Sequence, residues 1–142
     1  MESEQPLSVV FVDIDYFKQL NVFYGHKKGD KCIQAVAVFI QQSMPEDFAA
    51  RYGEDEFVII AVGRSEDYIR SCAEKIVDSV RKKNIPNQNS ADADVLTVTV
   101  GLVHTVPHKP NKVWDFMAAA DEALYRQKNE KKGCVRVSEG RR

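Results

Sequence analysis

The sequence predicts an α+β fold, with helices layered against a mixed sheet, and three observations lead there. Apolar β-rich runs alternate with runs of helical periodicity in the order β, α, α, β, β, α, β, α, β. Two of the strand runs meet across a short acidic turn, RYGEDEF at 51–57, and so form a hairpin. Helical crossovers flank that hairpin on both sides, as in ferredoxin-like and palm-like layers. At 142 residues the chain is long enough for one domain with a real core and too short for two comfortable ones.

The first strand is SVVFVDID, residues 8–15, apolar on both faces and so expected at the sheet centre, with Asp13 and Asp15 at its end. YFKQLNVFYG follows as a short helix stopped at Gly25. In GDKCIQAVAVFIQQS the residues Ile33, Val36, Ala37 and Ile40 repeat at helical spacing, with Asp30 near the start. DFAARY and EFVIIAV then form the hairpin, and Gly53-Glu54 has the composition of a type II′ turn, in which the first residue takes positive φ. A helix over about 66–83 buries Ile69, Cys72, Ala73, Ile76 and Val80. NIPNQNSADAD reads as a loop, and VLTVTVGLV after it as a strand of β-branched alternation. A helix over about 111–129 turns Val113, Met117, Ala120 and Leu124 inward, and CVRVS closes the chain as a short strand.

Composition narrows the function classes. A net charge of -1 gives no global positive field, so nucleic acid and acidic membrane surfaces are not expected partners. No apolar run reaches membrane-spanning length and the MESEQPLS start is not a basic signal sequence, so a soluble, cytoplasmic domain is expected. Cys32, Cys72 and Cys134 are odd in number and widely spaced, which fits reduced structural thiols better than disulfides or a zinc site.

The chemistry concentrates in carboxylates. Asp13 and Asp15 end one strand while Glu54, Asp55 and Glu56 crowd the hairpin, and neighbouring strands would bring both groups to one sheet edge. Such an edge suits Mg²⁺, which keeps several waters and takes one or two carboxylates plus substrate phosphates. A helix starting near Tyr16 and Phe17 would aim backbone N–H groups at a phosphate. Lys18, Lys128, Lys131 and Lys132 are candidate cations for a triphosphate. Each acid or lysine taken alone reads more readily as a solvated surface charge.

DIDYFKQLN, GHKKGD, RYGEDEF, LTVTVGLV and ADEALYRQK, in this order from about Val9 to Val137, resemble the successive motifs of the GGDEF domain, the diguanylate cyclase family. The resemblance implies a palm-like nucleotidyl cyclase fold with a mainly antiparallel five-stranded sheet. It also implies condensation of two GTP molecules into cyclic di-GMP by a homodimer, each 3′-hydroxyl attacking the other α-phosphate. Carried over by position, Asp13, Asp55 and the Ile14 carbonyl would bind Mg²⁺ or Mn²⁺, and Glu56 would support the site or accept the 3′-hydroxyl proton. Asn21 and Asp30 would read guanine, while the amides of Tyr16 and Phe17 with Lys128 and Lys132 would hold the β- and γ-phosphates. His26 falls in the family's Gly-His pair, where a structural role is expected.

The chain departs from the family pattern at several positions. Only eight residues precede Val9 and none resembles the family's LTGLxNR-like segment, so one domain over 1–142 with a core of about 8–138 is expected. Any upstream sensor domain is unread, and in isolation the chain is expected to be monomeric or weakly dimeric. The product-inhibition motif RxxD reads MPED, with Met44 for the arginine, so no tight feedback binding is expected there. Glu54 stands at the second glycine, Val22 replaces an acid after Asn21, and the ending around Lys131 and Gly133 is altered. Two readings follow, an active diguanylate cyclase or a GTP-binding or protein-interaction module without catalysis; a cyclase for another nucleotide fits Asp30 less well.

Overall fold

The chain runs through Leu7–Ile14 (β1), Phe17–Tyr24 (α1), His26–Ser43 (α2), Phe48–Arg51 (β2), Glu56–Val62 (β3), Glu66–Lys83 (α3), Val98–Thr105 (β4), Val113–Glu130 (α4) and Val135–Val137 (β5). This order, the one expected, is seen in a computed structural model that describes residues 5–88, 90, 94–107 and 113–138. The strands form one sheet in the order β2-β3-β1-β4-β5. All pairings are antiparallel except β4 with β5, so the sheet is mixed and mainly antiparallel.

β1 is central because it has no polar face along its middle: Val9, Val10, Phe11 and Val12 are all buried. Alternation sends them two ways. Val10, Val12 and Ile14 join a large core with α1, α2 and α3, including Leu20, Val36, Ile69 and Ile76. Val9 and Phe11 join a smaller one with Val58 and with Ala120 and Leu124 of α4. Asp13 continues the second series, which puts it on the α4 side.

Gly25 at φ 96° ends α1 and opens α2, as its lack of a Cβ permits. α2 thus begins at His26, ahead of the expected Gly-Asp start. Ala37, predicted inward, is exposed, and Cys32 and Gly29 occupy the buried stripe instead. α3 matches the expected bounds and buried face, and Ser65 Oγ caps it by accepting from the Tyr68 amide at 3.1 Å. β4 starts later than VLTVTVGLV suggested, because Val95 pairs with Pro86 to close the preceding loop. Within that loop residues 89 and 91–93 lie outside the described residues, as do 111 and 112 and the Val113 side chain at the start of α4. No described helix is long and apolar enough to cross a membrane.

The hairpin differs from the type II′ turn expected. Gly53 is not among the glycines at positive φ, which are Gly25, Gly63 and Gly133. Arg51 pairs with Phe57, and Glu56 O accepts from both the Tyr52 amide (2.7 Å) and the Gly53 amide (3.1 Å), so Gly53, Glu54 and Asp55 make a longer tip. Arg51 braces it, its guanidinium donating to the Gly53 carbonyl at 3.1 Å and the Glu54 carbonyl at 2.5 Å. A Cβ on Gly53 would meet nothing nearer than 3.7 Å, so no neighbour within the chain requires glycine there.

Gly101 does have such a neighbour. A Cβ there would overlap the main-chain nitrogen of Leu124 and lie 2.6 Å from the Ala120 carbonyl oxygen. α4 therefore lies directly on β4, and backbone cannot yield as a side-chain tip can. Gly101→Ala is expected to destabilise the fold by about 1–3 kcal/mol, read as a lower urea midpoint at unchanged slope.

Candidate active site

Three neighbouring strands deliver one polar row. Asp13 of β1 is in register with Glu56 of β3 on one side and Thr99 of β4 on the other. Asp55 is tied in through its main chain, its carbonyl accepting from the Ile14 amide at 3.0 Å. From α4, Lys128 Nζ reaches in to 2.7 Å from Asp13 Oδ2 and 3.6 Å from Asp15 Oδ1.

Asp15 differs from Asp13 in standing. It is 1% exposed, and its two oxygens accept from the Thr97 and Thr99 hydroxyls, each at 2.7 Å. Thr99 Oγ1 in turn accepts from the Gly133 amide at 2.8 Å, linking the end of α4 to β4. Asp15 is thus a buried support for Lys128, a role its spacing from Asp13 did not reveal. Asp13 keeps one oxygen, Oδ1, buried with no hydrogen-bond partner.

The site is short of positive charge. Burial pushes the Asp13 carboxyl up to about 6, against the pull of Lys128 and with Asp55 and Asp15 adding to it. Burial likewise raises Glu56 to about 7, helped by Asp13, Asp121 and Asp55. Asp15 is raised by burial too, with Thr99 and Thr97 opposing. For Lys128 burial works against the charge, yet Asp13, Asp15 and Asp55 together hold it above the ordinary lysine range. Lys128, aided at Asp15 by Lys132, is balancing several carboxylates, and one Asp13 oxygen is buried without a partner. A hard divalent cation fits both needs. Among the described residues no three His, Cys, Asp or Glu side chains are arranged to hold a metal, so the fit is to an ion that completes its shell with water and phosphate.

A pH dependence follows. Glu56 has a folded value of about 7 against an ordinary 4.5, so the folded state holds the extra proton between them. This group's favourable contribution to stability is complete below about 4.5 and lost as pH rises through about 7. Glu56→Gln should therefore raise the melting temperature of metal-free protein at pH 8 and change it little at pH 4; equal shifts at both would exclude the charge as cause.

On the phosphate side, Tyr16 takes a left-handed conformation (φ 57°, ψ 33°) that swings the chain from β1 into α1, and no side chain caps that helix. Lys132 Nζ sits 5.1 Å from the Tyr16 ring centroid and donates to the Lys128 carbonyl at 3.3 Å. Tyr16, Phe17, Lys128 and Lys132 are thereby gathered at one end of the sheet, with Phe17 buried. Lys18 and Lys131 are exposed and make none of these contacts. Farther along α1, Asn21 packs on Gly29, where a Cβ would overlap Asn21 Oδ1, an oxygen buried with no partner. Exposed Asp30 follows Gly29 directly, so the two base-reading candidates share the α1–α2 contact.

Met44, at the inhibitory-motif position, is a core residue only 2% exposed. Asp47 beside it is held by Arg64 at 3.2 Å. Arg51, Thr97 and Thr99 were not singled out from the sequence, and Asp15 was singled out only as a second strand-end acid. The one available signal was TVT in the fourth strand, two hydroxyls on one face of an otherwise apolar run.

Residues 1–134 match the family described as "Diguanylate cyclase, GGDEF domain". The chain belongs to this family. Among curated GGDEF relatives, Diguanylate cyclase A of Treponema denticola is 32% identical over 139 residues, covering 96% of this chain and 36% of the relative. VdcA, a diguanylate cyclase of Vibrio cholerae, is 33% identical over 127 residues, covering 88% and 37%. The chain thus spans roughly a third of the length of these relatives. Among solved structures, the GGDEF domain of DgcB from Caulobacter crescentus in complex with c-di-GMP has a TM-score of 0.84 at 28% identity, over 96% of this chain and 80% of that one. The active GGEEF domain of a diguanylate cyclase from Vibrio cholerae has a TM-score of 0.85 at 26% identity, over 96% and 85%. The α+β cyclase fold is therefore that of GGDEF domains. In GEDEF at 53–57, Glu54 stands where the GGDEF signature has its second glycine.

Proposed function

We propose that this GGDEF domain is a diguanylate cyclase, joining two GTP molecules into cyclic di-GMP with release of two pyrophosphates. The observation that carries the reading is the carboxylate row at the end of β1, short of positive charge, with Asp13 Oδ1 buried and unpartnered beside Lys128. Asp13, Asp55 and the Ile14 carbonyl would hold Mg²⁺ or Mn²⁺. Bound there, the metal would supply charge stabilisation for the attacking and leaving oxygens.

The chain's own groups do the rest. Tyr16 and Phe17 amides at the uncapped start of α1, with Lys128 and Lys132, hold the β- and γ-phosphates. Lys128 is shared between Asp13 and Asp15, so it can lean towards phosphate while Asp15, fixed by two threonines, keeps it in place. Asn21 offers its unpartnered oxygen, and Asp30 its carboxylate, to the N1–H and N2–H₂ donors of guanine, which adenine lacks. Glu56, held near pH 7, accepts the 3′-hydroxyl proton as that oxygen attacks the α-phosphate. Because each 3′-hydroxyl attacks the other nucleotide, two GTP-loaded copies must face one another. In this reading the domain works in the cytoplasm, a sensor domain elsewhere in the protein sets the pairing, and Met44 leaves no arginine for product feedback.

The exposed carboxylate of Glu54 at the hairpin tip favours a second reading, a GTP-binding regulatory module without turnover. Purified protein incubated with labelled GTP or ATP and Mg²⁺ at several concentrations separates the two. Cyclic di-GMP from GTP alone, rising more than linearly with protein, is the expected result. GTP binding with no product at any concentration would leave the regulatory module.

A further inference from the structure

α2, with the ends of α1 and α3, borders an open surface cavity of about 530 Å³ that belongs to none of the chemistry above: neither Asp13, Asp55 and Glu56 nor Asn21 and Asp30 line it. Its cations are Lys27, Lys28 and Lys31 of α2 and Lys83 of α3. Its apolar wall includes Tyr24 and Ile85, both packed against the main core. That wall is fixed by contacts. Lys28 Nζ donates to the Pro86 carbonyl at 2.9 Å and stands 3.8 Å from the Tyr24 ring centroid, and the Tyr24 hydroxyl accepts from the Gln88 amide at 3.1 Å.

The other three ammonium groups have no such anchor. Among the described residues, Lys27, Lys31 and Lys83 form no ion pair with a carboxylate, although the chain as a whole carries -1. The first turn of α2 contains no acid, and lysines there oppose the helix dipole, which favours anions at that end. Four like charges around one concavity repel in the free protein, and an anion in the cavity would reverse that cost. The volume lies in the range of small-molecule sites. Ammonium groups bind phosphate as point charges, and the apolar wall suits a planar ring.

We propose that this cavity is a second ligand site, taking a nucleoside phosphate whose phosphate groups lie among Lys27, Lys31 and Lys83 and whose ring lies on Tyr24 and Ile85. It does not depend on the cyclase reading. The test is calorimetric titration in EDTA, where the metal-dependent site is not loaded, with ADP, pyrophosphate and an oligoglutamate peptide, followed by amide shifts in the NMR spectrum. ADP is expected to bind with a Kd of about 100 μM or tighter, to exceed pyrophosphate, and to shift amides of α2 and of 83–88. Lys31→Glu with Lys83→Glu should weaken it by about tenfold or more, while Asp13→Asn should leave it unchanged. Both lysines are exposed, and an otherwise native spectrum confirms that the double variant folds. No saturation at millimolar ADP, equal binding by the double variant, pyrophosphate as tight as ADP, or preference for the peptide would each overturn the proposal.

Discussion

Asp13→Asn is expected to cut magnesium-dependent conversion of GTP to cyclic di-GMP by about 100- to 1,000-fold while leaving the fold intact. Asparagine has nearly the same shape, so the strand register with Glu56 and Thr99 can persist. What it loses is the anionic oxygen now buried without a partner, the group best placed to meet a cation. Lys128 loses its 2.7 Å partner but keeps Asp15 at 3.6 Å, so the ammonium is not stranded. The measurement is product formation at saturating GTP across a magnesium titration, with circular dichroism as the fold control. Wild-type turnover in the variant, at any magnesium concentration, would show that Asp13 is not a metal ligand.

Glu54→Gly should act in the opposite direction and nearly as strongly. A carboxylate about 5 Å from a phosphate costs about 3 kcal/mol at an effective dielectric near 20, which corresponds to roughly two decades in affinity. The geometry of the tip moderates that figure. Glu54 is exposed, and the Arg51 guanidinium bonded to its carbonyl sets a positive charge close by. The gain in kcat/KM for GTP is therefore expected to lie between about 10- and 100-fold, and to shrink as salt is added. A Cβ at Gly53 would meet only the Glu56 side chain, at 3.7 Å, so glycine at that position is not required by the chain's own packing. An unchanged KM at low salt would mean that the Glu54 carboxylate does not face the phosphates.

The parts of the molecule legible in the sequence are those set by local rules. α3 could be placed over about 66–83 because a regular apolar stripe marks it, and the structure adds a serine cap, an acidic first turn and a basic last turn. The start of α2 could not, since His26, Lys27 and Lys28 are poor first-turn residues and hid the helix behind Gly25. Ala37 fitted the helical spacing as well as Cys32 did, and only packing against the sheet chose between them. The turn at Gly53 was misjudged for a related reason: composition suggests a two-residue turn, but the pairing of Arg51 with Phe57 and the reach of the Arg51 side chain fix a longer one. At the site, the acids and lysines were visible as types in a pattern. The division between Asp13 and Asp15 was not, because it depends on two threonines that lie more than eighty positions away.

Those separations also bear on timing. The bonds from Thr97 and Thr99 to Asp15 and from Lys128 to Asp13 span 82, 84 and 115 residues. Closing such long loops is entropically slow, and none of these contacts is rewarded until β4 has paired with β1 and α4 has settled. During synthesis the acidic end of β1 leaves the ribosome long before its counter-cation. Asp13 and Asp15 must stay hydrated through that interval, since burying them unpaired would be costly. The carboxylate–lysine cluster at the end of β1 is thus a late product of folding, and a nascent chain stopped short of α4 would hold Asp13 and Asp15 without the Lys128 contacts.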